Sequence, residues 1–178
     1  SKIILMLAVY EKRKGHEFLF EAFKKVSIKS PNSSLIICGD SIENNKNKIL
    51  AMKEDICPES KVFFLDFIEN GAELINQCDI LVISSQEWES FGLTAVEAML
   101  RKKPIVSTNA GGLKEVVGQD LTSGYIHPID DIDGFTSSII DLIDNPEKRK
   151  SIGEAGYRRA KAKFLAENMS REYWKLIQ

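Results

Sequence analysis

The sequence predicts an α/β fold: a doubly wound, mainly parallel sheet flanked by helices, with additional helices after the last strand. Three observations carry this. Continuous apolar runs of strand length recur at 3–9, 34–38, 62–65, 80–83 and 105–107. A helix-length segment separates each run from the next, and beyond Pro128 strand patterning gives way to helical spacing. Strands buried on both faces read as unbroken apolar runs, and parallel neighbours require crossover connections, usually helices.

Taken in order, the first run is followed by Leu19, Ala22, Phe23 and Val26, whose i, i+3, i+4, i+7 spacing puts one apolar stripe on a helix ending near Ser30-Pro31-Asn32. Further helices are expected at 44–56, 72–77, 92–101 and 113–117, and a weaker strand at 124–127 suits a sheet edge. Ile132, Phe135, Ile139, Leu142 and Ile143 then form an amphipathic helix that stops at Asp144-Asn145-Pro146. No further buried strand follows. Segments 147–164 and 166–177 read as helices, the last with Met169, Tyr173 and Leu176 on one face and Trp174 beside them.

With 178 residues and 43% apolar content, one compact domain is the expectation. The 24 Lys and Arg nearly balance the 26 Asp and Glu, for a net charge of −2 without a long basic block. A field built to attract nucleic acid is therefore not indicated. Cys38, Cys57 and Cys78 are odd in number and lack C-x-x-C spacing, so they read as reduced, buried thiols rather than a zinc site or disulfide framework. No apolar run reaches the roughly 20 residues of a spanning helix, and no secretion signal opens the chain. These features suit the cytoplasm. The abrupt start on a strand predicts a fragment of a longer protein.

Open parallel sheets bind ligands beyond the carboxyl ends of their strands, which directs attention to three loops. After the run at 80–83 comes Ser84-Ser85-Gln86-Glu87-Trp88-Glu89-Ser90-Phe91-Gly92-Leu93-Thr94, leading into a helix that carries Glu97. A helix start presents unpaired N–H groups and partial positive charge, so the amides near Phe91, Gly92, Leu93 and Thr94 suit a phosphate. Glu89 and Glu97, as carboxylates, suit the hydroxyls of a ribose or hexose, although acids in a helix's first turns also complement its dipole. Gly111-Gly112, after 105–107, marks either close approach of backbone to a ligand or an ordinary tight turn. Lys12, Arg13 and Lys14, after the first strand, either neutralise phosphate or form a solvated basic loop. That loop is neither G-x-G-x-x-G nor a Walker lysine loop. His16 and His127 are too isolated for a metal cluster or triad and read as structural or exposed. Tyr10, Trp88 and Phe91 read as pocket walls or packing.

Several segments, in this order and spacing, resemble family 4 glycosyltransferases: KGHEFLFEAF at 14–23, CDILVISSQEWESFGLTAVEAML at 78–100, KPIVSTNAGGLKEVV at 103–117 and GYIHPID at 124–130. The tail DNPEKRKSIGEAGYRRAKAKF at 144–164 is similar to that family's closing helices. The resemblance implies the GT-B architecture of two Rossmann-like domains, of which this chain would be the C-terminal, nucleotide-sugar-binding one and the N-terminal acceptor domain would be absent. It assigns Glu89 to the first acid of the E-x7-E motif, near the transferred sugar, and Glu97 to the second, on the ribose hydroxyls. It gives the amides of Phe91, Gly92 and Leu93, with Thr94 beside them, to the diphosphate or sugar, and Lys14 to the departing diphosphate. The arginine usual five residues before that lysine is replaced by Val9, and Arg13 is the candidate substitute.

The implied activity is sugar transfer to a hydroxyl acceptor with retention at the anomeric carbon and no bound metal or other cofactor. A UDP-sugar is the favoured donor, with GDP- or ADP-sugar as alternatives. The isolated domain is expected to bind donor without efficient turnover, and peripheral membrane association, if any, would run through the missing domain. Val9 motivates an alternative, a non-catalytic nucleotide-sugar-binding or scaffold module. A flavodoxin-like signalling domain fares worse, because Asp40, Asp66 and Asp79 do not form an evident acidic cluster.

Overall fold

The computed structural model describes every residue except 42–44, 119–120 and 177–178, and every side chain except those and 169, 171–173 and 176. Six parallel strands form one sheet: β1 (Lys2–Leu7), β2 (Ser33–Cys38), β3 (Val62–Leu65), β4 (Ile80–Ile83), β5 (Ile105–Thr108) and β6 (Tyr125–His127). Their spatial order is β3-β2-β1-β4-β5-β6. The chain winds outward from β1 through β2 to β3, returns to the middle for β4, and winds the other way.

Strict alternation along the strands feeds two cores. Ile4, Met6, Leu35, Ile37, Ile80, Val82 and Val106 face one side, where they meet α1 (His16–Lys29), α2 (Asn45–Ile56) and α6 (Ile132–Asp144). Leu5, Leu81 and Ile105 face the other, against α3 (Gly71–Gln77), α4 (Leu93–Leu100) and α5 (Leu113–Val117). This period of two, buried on both sides, is why the strands read as continuous apolar runs. Helix α7 (Pro146–Lys163) starts with proline at its first position, where no N–H is needed, and α8 (Ala166–Leu176) follows it.

The predicted elements are all present, with ends that coincide or shift by one or two residues. The first strand stops at Leu7 rather than Val9, although Ala8 still donates to the Cys38 carbonyl. Gly92 and Arg101 turn out to cap α4 rather than belong to it. β6 does lie at the sheet edge. The expected apolar face of Met169, Tyr173 and Leu176 concerns side chains outside those described, as do residues 44 and 177 at predicted helix ends. All three cysteines are free and buried, and burial pushes the Cys78 thiol up to about 12. Among the described residues, no helix is long and apolar enough to cross a membrane.

His16 begins α1 and is 2% exposed. Its Nδ1 lies 3.2 Å from the Glu11 carbonyl, and because that oxygen only accepts, the neutral ring carries its proton there. Burial holds its pKa down at about 4, against an ordinary 6.5. The unfolded chain therefore takes up a proton first as pH falls below 6.5, and stability present above that pH is lost on the way to 4. Unfolding free energy is expected to drop by about 2 kcal/mol between pH 6.5 and 5 on account of this residue. Urea titrations at both values check this, with His16→Asn expected to flatten the difference.

Candidate active site at the strand switch

The sheet reverses its winding between β1 and β4, and the loops after these strands part there to leave a crevice. After β1 the chain makes a 3-10 turn, Lys12–Lys14, closed by Gly15 with φ 72° and ψ 39°. That left-handed conformation suits glycine, and a second demand is stronger. A Cβ at position 15 would lie 1.9 Å from the Ser84 carbonyl oxygen, so the two loops touch backbone to backbone. Hydrogen bonds sew the contact together. Ser84 Oγ donates to the Lys14 carbonyl at 2.9 Å and the Gln86 N–H donates to the Arg13 carbonyl at 2.9 Å, while Gln86 Nε2 braces its own loop by donating to the Ser84 carbonyl at 3.0 Å.

This stitching brings together two candidates 75 residues apart. Lys14 Nζ donates to Glu89 Oε2 at 2.6 Å, and their side chains are only 14% and 17% exposed. Ser85 Oγ donates to the same carboxylate oxygen at 3.1 Å. Beside the pair, Gly92 (φ 81°) caps α4, and the N–H groups of Leu93 and Thr94 make no hydrogen bond among the described residues. The resulting cleft, of about 240 Å³, is lined by Ala8, Lys14, Ser84, Ser85, Glu89 and the 90–94 segment, together with the ends of β1 and β4. That is smaller than the ~300–1,000 Å³ of sites that enclose a whole small-molecule ligand, so it accommodates part of one. A cation, a helix amino end and a carboxylate at its wall suit a ligand that is anionic at one point and hydroxylated next to it.

Of the candidates from sequence, Lys14, Glu89, Phe91, Gly92, Leu93 and Thr94 share this cleft. Arg13 does not line it; its Nε donates to Glu11 Oε2 at 2.5 Å on a partly exposed side chain. Glu97 is exposed on α4. It lies four residues after Leu93, hence on the same helical face, just beyond the cleft. Phe91 packs edge-on against Phe164 at 5.6 Å, so its ring is both cleft wall and core. Tyr10 is fully buried, its hydroxyl donating to the Leu65 carbonyl, and Trp88 is 70% exposed outside the cleft. His127 bridges Asp131 and Ser138 at the start of α6, away from the site.

Sequence reasoning missed three participants. Ser84 and Ser85 fall in a polar stretch whose partners, Lys14 and Glu89, depend on tertiary placement. Gly111 and Gly112 were visible, but the surface they approach is the protein's own: a Cβ at 111 would lie 2.1 Å from the Glu89 carbonyl oxygen, and one at 112 would lie 2.5 Å from that of Ser90. The Gly112 N–H donates to the Glu89 carbonyl at 2.8 Å. The third is Gly15. Among the described residues, no group of three or more His, Cys, Asp or Glu side chains is placed to hold a metal ion. A larger cavity of about 760 Å³ opens between α1, α2 and the segment after β6, with Phe18, Ile49, Met52 and Ile132 in its wall. The Lys14–Glu89 pair faces the smaller one.

A sheet wound in both directions from β1 and β4, with an anion-suited cleft at the reversal, defines a Rossmann-type α/β protein. The chain belongs to the group 1 glycosyl transferases, whose family model matches residues 1–159. It is 29% identical over 173 residues to N-acetyl-alpha-D-glucosaminyl L-malate synthase of Bacillus anthracis, covering 97% of this chain and 44% of that one. The chain thus spans about half the length of the curated relatives it matches. Anabaena HepE in complex with UDP and glucose superposes with a TM-score of 0.88 at 22% identity, over 98% of this chain and 47% of its own. The C-terminal domain of a group 1 family protein, LpcC, from Francisella tularensis gives 0.81 at 24% identity, over 93% and 87%.

Proposed function

We propose that this chain is the donor-binding domain of a retaining, family 4 glycosyltransferase of GT-B architecture, which moves a sugar from a nucleotide-sugar to a hydroxyl acceptor. The observation that carries this reading is the Lys14–Glu89 contact of 2.6 Å beside the amino end of α4, at the switch in winding. Lys14 and the free amides of Leu93 and Thr94 neutralise the diphosphate as the bond from the anomeric carbon to the phosphate oxygen breaks. Glu89 accepts hydrogen bonds from the transferred sugar, and Glu97, one helical turn along the same face, accepts from the ribose. A UDP-sugar is the favoured donor, supported by HepE, whose complexes contain UDP, UDP-glucose, or UDP and glucose.

Because the cleft holds only part of such a ligand, a second wall completes it. That wall belongs to an N-terminal acceptor domain, a reading supported by the match to a C-terminal domain over 87% of its length. The domain alone accordingly binds donor without efficient turnover. Buried free thiols suit a reducing cytoplasm, with any membrane contact made through the partner domain.

Calorimetric titration with UDP-glucose and UDP tests the proposal. Both are expected to bind, and Glu97→Ala is expected to weaken both about tenfold, since ribose is common to them. Undiminished binding by that variant would remove Glu97 from the ribose role, and turnover by residues 1–178 alone would refute the two-domain mechanism. A second reading, a binding module without catalysis, is favoured by Val9 and by the engagement of Arg13 with Glu11. Sugar transfer by the longer protein containing this chain would dismiss it.

A further inference from the structure

We infer that Ser85 and Gly111 are positioning residues that aim the Glu89 carboxylate by dividing its two oxygens between protein and ligand. The inference rests on the donor-site reading above.

Ser85 is 1% exposed and sits just past the end of β4. Thr108, at the end of the neighbouring β5, fixes it by donating its hydroxyl to the Ser85 carbonyl at 2.5 Å. The Ser85 hydroxyl then donates to Glu89 Oε2, the oxygen that Lys14 also engages. The other oxygen, Oε1, takes no hydrogen bond among the described residues.

The backbone of residue 89 is gripped as tightly. Gly111, at φ 52°, passes so close that a Cβ there would lie 2.1 Å from the Glu89 carbonyl oxygen and 2.8 Å from its nitrogen. Its neighbour Gly112 donates an N–H to that same carbonyl. Residue 89 is thus held at both ends, its peptide by the β5–α5 loop and one carboxylate oxygen by Ser85.

The division has a functional consequence. Once a diphosphate draws the Lys14 ammonium, Ser85 keeps Oε2 in place, and Oε1 is left to accept from a hydroxyl of the sugar. Ser85 therefore supports the sugar end of the donor and not the diphosphate.

The test compares UDP with UDP-glucose in calorimetric titrations of the chain and its Ser85→Ala, Ser85→Thr and Gly111→Ala variants. Ser85→Ala is expected to weaken UDP-glucose about five- to tenfold while leaving UDP within about twofold, less than a direct hydrogen bond to a charged group because the serine acts on the ligand through Glu89. Ser85→Thr, which keeps the hydroxyl, is expected to restore most of the difference, and Ser85→Cys serves if the extra methyl prevents folding. Gly111→Ala, compared only if its melting curve stays cooperative, is expected to lose the same sugar-dependent part. Equal losses for both ligands, or none for UDP-glucose in Ser85→Ala, would overturn the inference. Should the unmodified chain take up neither ligand, or gain nothing from the glucose, the donor reading fails and crystal structures of the serine variants decide the positioning claim. A carboxylate displaced in Ser85→Ala and in place in Ser85→Thr supports it, and one unmoved in Ser85→Ala overturns it.

Discussion

Lys14→Met is expected to weaken binding of UDP-glucose and of UDP alike by about ten- to a hundredfold, the 1.5–3 kcal/mol of a hydrogen bond to a charged group. The effect on both ligands follows from the proposed diphosphate role and contrasts with the sugar-selective loss expected at Ser85. Removing the ammonium also strands the Glu89 carboxylate, 17% exposed, with Ser85 as its remaining partner. A stability loss of about 1–2 kcal/mol should accompany the loss of binding, less than for a fully buried pair because water still reaches both groups. The double variant Lys14→Met/Glu89→Gln should recover most of that stability and none of the binding. This combination distinguishes a binding lysine from a structural one. Binding by Lys14→Met within about twofold of the unmodified chain would dismiss the assignment.

Gly15→Ala is expected to be the most destabilising substitution around the cleft, by about 3–5 kcal/mol, or about 10 °C or more in melting temperature. Adopting φ 72° costs alanine about 1 kcal/mol. The larger part comes from a methyl placed 1.9 Å from the Ser84 carbonyl oxygen, which has to be pushed away. With it go the Ser84–Lys14 and Gln86–Arg13 hydrogen bonds that register the two loops. Gly71→Ala is the control: its nearest contact would be Leu7 Cδ1 at 3.6 Å, its φ is not positive, and a loss under about 1 kcal/mol is expected. Differential scanning calorimetry of the two variants reads the contrast. A Gly15→Ala chain that melts with Gly71→Ala would show that the loops part without penalty.

How far these features were visible beforehand depends on the range over which each is encoded. The strand at 80–83 is legible to the residue, because burial on both faces leaves a local, unbroken apolar signature, and the edge strand at 62–65 shows the same apolar run although its Phe63 is 54% exposed. The stripe of Leu19, Ala22, Phe23 and Val26 was equally local, and all four side chains are buried in α1. The cleft is legible in its parts, since a glycine before a helix start announces an anion-suited end and the acids near it suit hydroxyl donors. Its assembly was not. Nothing within a few residues of Lys14 indicates that its partner is Glu89, because that pairing depends on β1 and β4 being neighbours across three intervening helices and two strands. The glycine pair 111–112 reads as an opening for a ligand or as a turn, and composition cannot tell a ligand from another stretch of main chain. Arg13 illustrates the reverse problem: a basic residue two positions from an acid finds Glu11 before it finds the cleft.

The close backbone contacts at Gly15, Gly111 and Gly112 also bear on redesign of this domain. Leu93, which lines the cleft and is 69% exposed, can be randomised with little threat to folding. The three glycines are a different kind of position, where even one added carbon meets a carbonyl oxygen at 1.9–2.5 Å. A library that varies the cleft's visible lining and holds these hidden glycines constant should retain mostly folded members. One that mutates both indiscriminately would spend its diversity on chains that never form the site.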